Sequence, residues 1–177
     1  MRKALDFIYD AAGYLAAFFV FAIFAIMVVG SAMREMGFRT GGTTEIAAWM
    51  TAGAAFFGLA HTFKHGDFVR VGLLLDNMGP KLRRAFEVLS LLIAAVFVGY
   101  MTWAICVFVY NNYQFKEMAG GLIVIPLWIP QMSLVIGSIL LFVAFVDELV
   151  LVLMGRIPTY VRAVEERHAR GDFSEDV

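Results

Sequence analysis

The chain has 177 residues, 61% of them hydrophobic and only 16% charged, with a mean hydropathy of +0.78. Soluble domains carry about 25% charged and about 45–50% apolar residues, so this composition excludes an ordinary water-soluble globule. A net charge of −1 offers no field for nucleic acid, and a single cysteine, Cys106, excludes a disulfide framework or a CxxC redox pair within one chain.

Arg2 and Lys3 precede an uncharged run over residues 11–33 that is rich in phenylalanine (Phe18, Phe19, Phe21, Phe24). A bilayer core of ~30 Å needs about 20 helical residues, so this run spans it. A cleaved signal has an apolar region of roughly 7–15 residues, so the run is read as a retained helix. The loop from Arg34 to Thr44 holds Gly37, Gly41 and Gly42. Thr43 or Thr44 is placed to cap a second helix, and Glu45 in its first turn suits the positive end of the helix dipole. Fifteen uncharged residues follow, Ile46 to Ala60, of which nine are small, among them Ala52, Gly53 and Gly58. Small side chains let neighbouring helices approach closely in lipid, so this stretch reads as the packing helix of a bundle. It is expected to continue through Phe63, with Lys64 snorkelling to the headgroups.

From Gly66 to Arg84 the chain changes character. Phe68, Val71, Leu75, Met78 and Leu82 recur at three-four spacing, with Asp67, Arg70, Lys81 and Arg84 mostly opposite, which predicts an amphipathic helix in the membrane surface. Pro80 ends or restarts it. The third uncharged run covers residues 88–115 and is expected to leave the core near Tyr110; the fourth covers 118–146. Gly120 and Gly121 open the fourth as a loop, and Pro126 and Pro130 stand where a helix starts. Tyr110, Tyr113 and Trp128 then form an aromatic belt at one interface. The predicted fold is an all-α integral membrane protein with four transmembrane helices and an amphipathic interfacial helix between the second and third. Residues 1–155 make one membrane domain, and 156–177 a polar cytoplasmic tail. Four crossings place eleven basic residues on one side and three on the other, which the positive-inside rule reads as both termini cytoplasmic.

No ionisable group stands at the centre of any of the four runs, where ion pathways and proton relays show themselves. Haem ligation between helices wants histidines at membrane depth on two helices, and these are absent. His61 and His65, four residues apart at the end of the second helix, share a face that suits a metal, but no third ligand stands near them in the sequence, and no metal or cofactor is expected. Neither a Gly-rich phosphate loop nor a nucleophile–base pair is present, so no enzymatic activity is expected. Asp147 and Glu148 lie at or slightly inside the end of the fourth span, where burial without a partner is costly. They are expected either to snorkel or to pair with Lys64 or Arg70.

Glu45, then Gly58, then Lys64-x-Gly66-x-x-Val69-x-Val71, and later Pro126-x-Trp128 and Gly137 are carried in this order and spacing. Over roughly residues 5–155 the chain resembles the small membrane subunit, DctQ type, of tripartite ATP-independent periplasmic (TRAP) transporters. Near the end of the second helix that family commonly carries a basic residue, x, Gly, x, His-Ile-x-Val-Asp. Here Phe68 stands in place of the histidine and Gly72 in place of the aspartate. The resemblance implies a Na⁺-driven transporter of organic acids in the bacterial inner membrane. It implies a large membrane subunit of about 12 helices that carries the substrate and Na⁺ sites, and a periplasmic binding protein that delivers substrate. The small subunit then serves as a scaffold in a heterodimeric membrane unit within the lipid bilayer. The residues expected at the partner interface are Glu45, Trp49, Gly53, Gly58, Lys64, Arg70, Trp128, Gly137, Asp147 and Glu148. The alternatives are a stand-alone four-helix transporter acting as a homo-oligomer and a membrane redox enzyme. The first needs an embedded carboxylate and the second paired cysteines or intramembrane histidines, and the four runs supply neither.

Overall fold

A computed structural model describes residues 2–38, 40–65, 79–155, 159 and 161. Among them are four long helices: α1 (Arg2–Glu35), α2 (Thr43–His65), α3 (Pro80–Gln114) and α4 (Trp128–Leu153). Each contains a segment long and apolar enough to cross a membrane, of 31, 23, 31 and 26 residues in chain order. All four exceed the roughly 20 residues needed, so the chain is a multi-pass membrane protein.

The helices outrun the uncharged stretches from which they are predicted. α1 begins at Arg2 and ends where Gly37 turns at φ 82°, with the Phe38 amide donating to the Met33 carbonyl. That positive φ suits glycine, and the bond is the usual way of closing a helix C-terminus. α3 runs back to Pro80, which occupies its first turn, where a missing N–H costs nothing. Pro80 therefore starts a transmembrane helix, and residues 80–84 belong to α3 rather than to a surface helix. The rest of the predicted interfacial helix, residues 66–78, lies outside the described residues, as does nearly all of the tail.

The principal contacts pair α1 with α2, α2 with α4, and α4 with α3. The helices thus stand in the order 1-2-4-3, and the two inner ones carry most of the burial. In the spanning window, 28% of α2 and 39% of α4 residues are buried, against 11% of α1 and 17% of α3. Small residues set the inner contact. A Cβ added at Gly137 would stand 2.6 Å from the Phe56 Cβ and 3.0 Å from the Phe56 carbonyl carbon, so α4 lies directly on the α2 backbone. A Cβ at Gly53 would meet the Phe19 ring at 2.9 Å and Ser133 at 3.3 Å, between α1 and α4. The outer faces stay bare and apolar: Phe7, Phe18, Phe21 and Phe24 of α1 and Val96, Phe97, Tyr100 and Trp103 of α3 are all exposed.

At one end of the row the two connections interlock. The loop from 115 to 127 is pinned by the Ala119 amide on the Ile125 carbonyl (2.9 Å) and the Leu127 amide on the Glu117 carbonyl (3.0 Å). Leu122 and Ile123 pack onto Gly41 and Gly42 of the first connection, where side chains would collide with them. At the opposite end, Tyr9, Ala60, Phe63, Leu91, Ala144 and Val152 form a core cluster drawn from all four helices.

Candidate partner interface

The charged anchor sits at that second end. Lys64 is in the last turn of α2 and is buried, although its long stem is the kind that ordinarily reaches for water. Its Nζ donates to Asp147 Oδ2 at 2.5 Å and to Glu148 Oε1 at 2.9 Å. Glu148 is fully enclosed, while the Asp147 side chain keeps 23% of its exposure. The other Glu148 oxygen accepts the Thr159 amide at 2.9 Å, tying the chain beyond α4 back to the cluster. Tyr9 of α1 closes the side, with Lys64 Nζ 5.2 Å from its ring centroid, within cation–π range. The Tyr9 hydroxyl is buried without a hydrogen-bond partner among the described residues. Two carboxylates share one ammonium here, so the cluster carries one more negative than positive charge. A buried ion needs both a counter-charge and bonds to its remaining lone pairs, and Glu148 has both.

Glu45 anchors the other end. Its carboxylate accepts the backbone amides of Leu122 (2.8 Å) and Ile123 (3.2 Å), so it holds the second connection rather than only facing its own helix dipole. Gly121 leaves room for that carboxylate, since a Cβ there would overlap it. Neither threonine supplies the expected side-chain cap. Thr43 is already the first helical residue, and its hydroxyl donates back to the Thr40 carbonyl at 3.4 Å. Two further polar ties bind α3 to α4: Asn112 Nδ2 to Gln131 Oε1 (2.8 Å) and Thr102 Oγ1 to the Ser138 carbonyl (3.1 Å). Arg84 Nη2 donates to the Val152 and Leu153 carbonyls, both at 3.2 Å, and so caps the negative end of α4.

The residues singled out by sequence fall into distinct positions. Gly53, Lys64, Gly137 and Glu148 are buried against this chain's own helices, so the contacts they make are internal. Gly58 is half-buried and has space: a Cβ there would meet only Ala16, at 3.8 Å. Trp49 and Trp128 are half-buried, and Trp128 stands edge-on to Tyr113 at 5.7 Å. Arg70 lies outside the described residues, so its expected pairing with the acids falls there too. The pairing of Asp147 and Glu148 with Lys64 is present, and both acids use the same lysine. Tyr9, Thr159 and Arg84 were not legible as parts of this end. Tyr9 precedes the uncharged run without any motif, and Arg84 sits in a segment whose periodicity reads as amphipathic.

A comparison with curated proteins finds no match to the chain. Among protein families, the one described as "Tripartite ATP-independent periplasmic transporters, DctQ component" matches residues 23–155. That interval opens within α1 and closes just after α4, taking in both polar anchors and most of the glycine contacts between helices. With well over half its length matched by one family, this four-helix membrane chain belongs to the DctQ components of tripartite ATP-independent periplasmic transporters.

Proposed function

We propose that the chain is the scaffolding small subunit of a Na⁺-driven organic-acid transporter of the bacterial inner membrane, with both termini cytoplasmic. It transports nothing by itself. The large membrane subunit holds the substrate and Na⁺ sites, and a periplasmic protein delivers the substrate. The observation that carries this reading is the 1-2-4-3 row with its asymmetric burial. α2 and α4 form a stiff inner pair, while α1 and α3 offer long apolar faces, only 11% and 17% buried in their spanning windows. Such faces suit lipid on one side and a second membrane protein on the other.

The charged groups support the same reading. The acids and the lysine of the second end are spent on one another, and Glu45 is spent on backbone amides. These groups fix the scaffold and leave no carboxylate in mid-span to couple ion movement. Trp49, Gly58, Trp128 and Asp147, each part-exposed, are the contacts proposed for the large subunit. Glu45, Gly53, Lys64, Gly137 and Glu148 shape that surface from within, and Arg70, outside the described residues, is proposed from the sequence as a further partner contact.

The test is co-expression with the large membrane subunit of a TRAP transporter, followed by purification on a tag carried by that partner. A one-to-one complex that survives size exclusion in mild detergent is expected. Recovery of the large subunit alone, fully active in uptake, would contradict the scaffold role.

A further inference from the structure

Next to the Lys64 cluster lies a second group that the scaffold role does not use. Asp10 of α1 faces His61 and His65 of α2, and one potential ligand atom from each of the three lies within 4.8 Å of the others. The sequence shows the histidine pair; the fold adds the carboxylate from a helix some fifty residues away. Asp10 Oδ1 is 3.6 Å from His65 Nε2 and 3.9 Å from His61 Nδ1. All three side chains keep contact with solvent, at 52%, 46% and 34% exposure for Asp10, His65 and His61, so an ion in solution reaches them.

The imidazoles are already oriented by backbone. His61 Nδ1 lies 3.1 Å from the Tyr9 carbonyl oxygen, and His65 Nδ1 lies 3.0 Å from the His61 carbonyl oxygen. A carbonyl oxygen only accepts, so both δ nitrogens carry a proton and a neutral ring has its lone pair on Nε2. The His61 nitrogen 3.9 Å from Asp10 is thus the proton-bearing one, and that ring must turn to offer Nε2 to a shared ion. Metal-bound histidines show this same outer arrangement, in which one nitrogen donates to a carbonyl and the other binds the ion. For His65 that nitrogen faces a carboxylate oxygen across 3.6 Å, a separation that a bound cation can bridge. Bonds of about 2.0–2.1 Å to a zinc-like ion, closing that separation, meet at an angle of roughly 120°, so a small approach of the two side chains brings it to tetrahedral. The His61 ring is seated on α1 at Gly13, where a Cβ would stand 2.6 Å from it. The two rings stack at 4.0 Å with a 30° tilt, so taking up the ion requires them to fan apart about their side-chain torsions.

We propose that Asp10, His61 and His65 form a binding site for a divalent first-row transition cation of the zinc class. Two imidazoles and one carboxylate suit such borderline ions over Mg²⁺ or Ca²⁺, which prefer all-oxygen shells. Water completes the coordination on the exposed side. The ion clamps the start of α1 to the end of α2, beside the buried lysine.

The test uses the full chain in detergent, purified on a histidine-free tag and stripped with chelator. Co²⁺ is the probe, read by its visible absorption, with Zn²⁺ as competitor. One Co²⁺ per chain is expected, displaced by Zn²⁺, with affinity falling at least ~10-fold in Asp10→Asn, His61→Ala and His65→Ala. His168→Ala, the third histidine of the sequence, leaves it unchanged. Circular dichroism and size exclusion confirm that each variant keeps its helices. Absence of saturable bands in the parent chain overturns the proposal, as do bands that persist in Asp10→Asn and His65→Ala or that vanish in His168→Ala. Histidine resonances that shift with Asp10 but no Co²⁺ bands would mean that the cluster holds a proton, which also overturns it.

Discussion

Replacing Lys64 by glutamine tests the buried anchor where its energetics are most lopsided. The substitution leaves Glu148, which is fully enclosed, with the Thr159 amide as its described neutral partner, and leaves Asp147 beside it. Breaking a buried pair by removing one partner costs about 3–5 kcal/mol, because the other charge is stranded. Asp147→Asn has a different effect. It removes one of two carboxylates competing for a single ammonium, and its side chain is already 23% exposed. The lost charge-assisted bond, worth about 1.5–3 kcal/mol, is then offset by relief of like-charge repulsion, so the net cost falls to about 0–1 kcal/mol. The assay is equilibrium unfolding in mixed micelles, run as double-mutant cycles of Lys64→Gln with Glu148→Gln and with Asp147→Asn. The Lys64–Glu148 coupling is expected to exceed 1 kcal/mol and to be clearly the larger of the two. A Lys64→Gln variant as mild as Asp147→Asn, or zero coupling between Lys64 and Glu148, would refute the reasoning.

Three more outcomes follow from the packing and the loops. Gly137→Ala forces α4 off the α2 backbone and is expected to destabilise by about 1–3 kcal/mol, whereas Gly58→Ala, whose Cβ meets only Ala16 at 3.8 Å, stays within ~0.5 kcal/mol; micelle unfolding separates them, and equal effects would contradict the helix contact. Gly58→Leu, whose side chain is driven against Ala16 of α1, is expected to disturb the α1–α2 pair and so reduce co-purification with the large subunit more than Phe18→Ala does. Glu45→Gln weakens the two charge-assisted bonds to Leu122 and Ile123, so their amides should exchange with solvent at least ~10-fold faster while those of α3 keep their protection.

The fold was legible because lipid imposes a coarse rule: an uncharged run of sufficient length spans, and small residues mark close packing. Residues 11–33 and 46–60 each became the middle of a helix, and the run 88–115 reached the C-terminal end of α3, with Phe115 as its cap. Their ends were less legible, because the charged residues that flank a run do not end a helix. α1 reaches back through Asp6 and Lys3, and α3 through Arg84 to Pro80, since a helix needs only its own backbone bonds to continue past an apolar run. The order 1-2-4-3 was not legible at all, because every run is apolar enough to pack against any other. The ion pair was half legible. Two acids at the end of a span demand a cation, and Lys64 is the basic residue at the end of the neighbouring helix, but only the fold shows both acids on the one lysine. Asp10 was not legible, because an acid at the edge of a hydrophobic run has no local signature, and its meeting with His61 and His65 depends on the antiparallel packing of α1 and α2.

The central claim, that this chain supports transport without performing it, is tested most directly by uptake into proteoliposomes under an inward Na⁺ gradient. The chain alone is predicted to take up no labelled organic acid above protein-free vesicles. The chain with its large subunit and periplasmic binding protein is predicted to give saturable, Na⁺-dependent uptake. Saturable uptake by the chain alone would contradict the account.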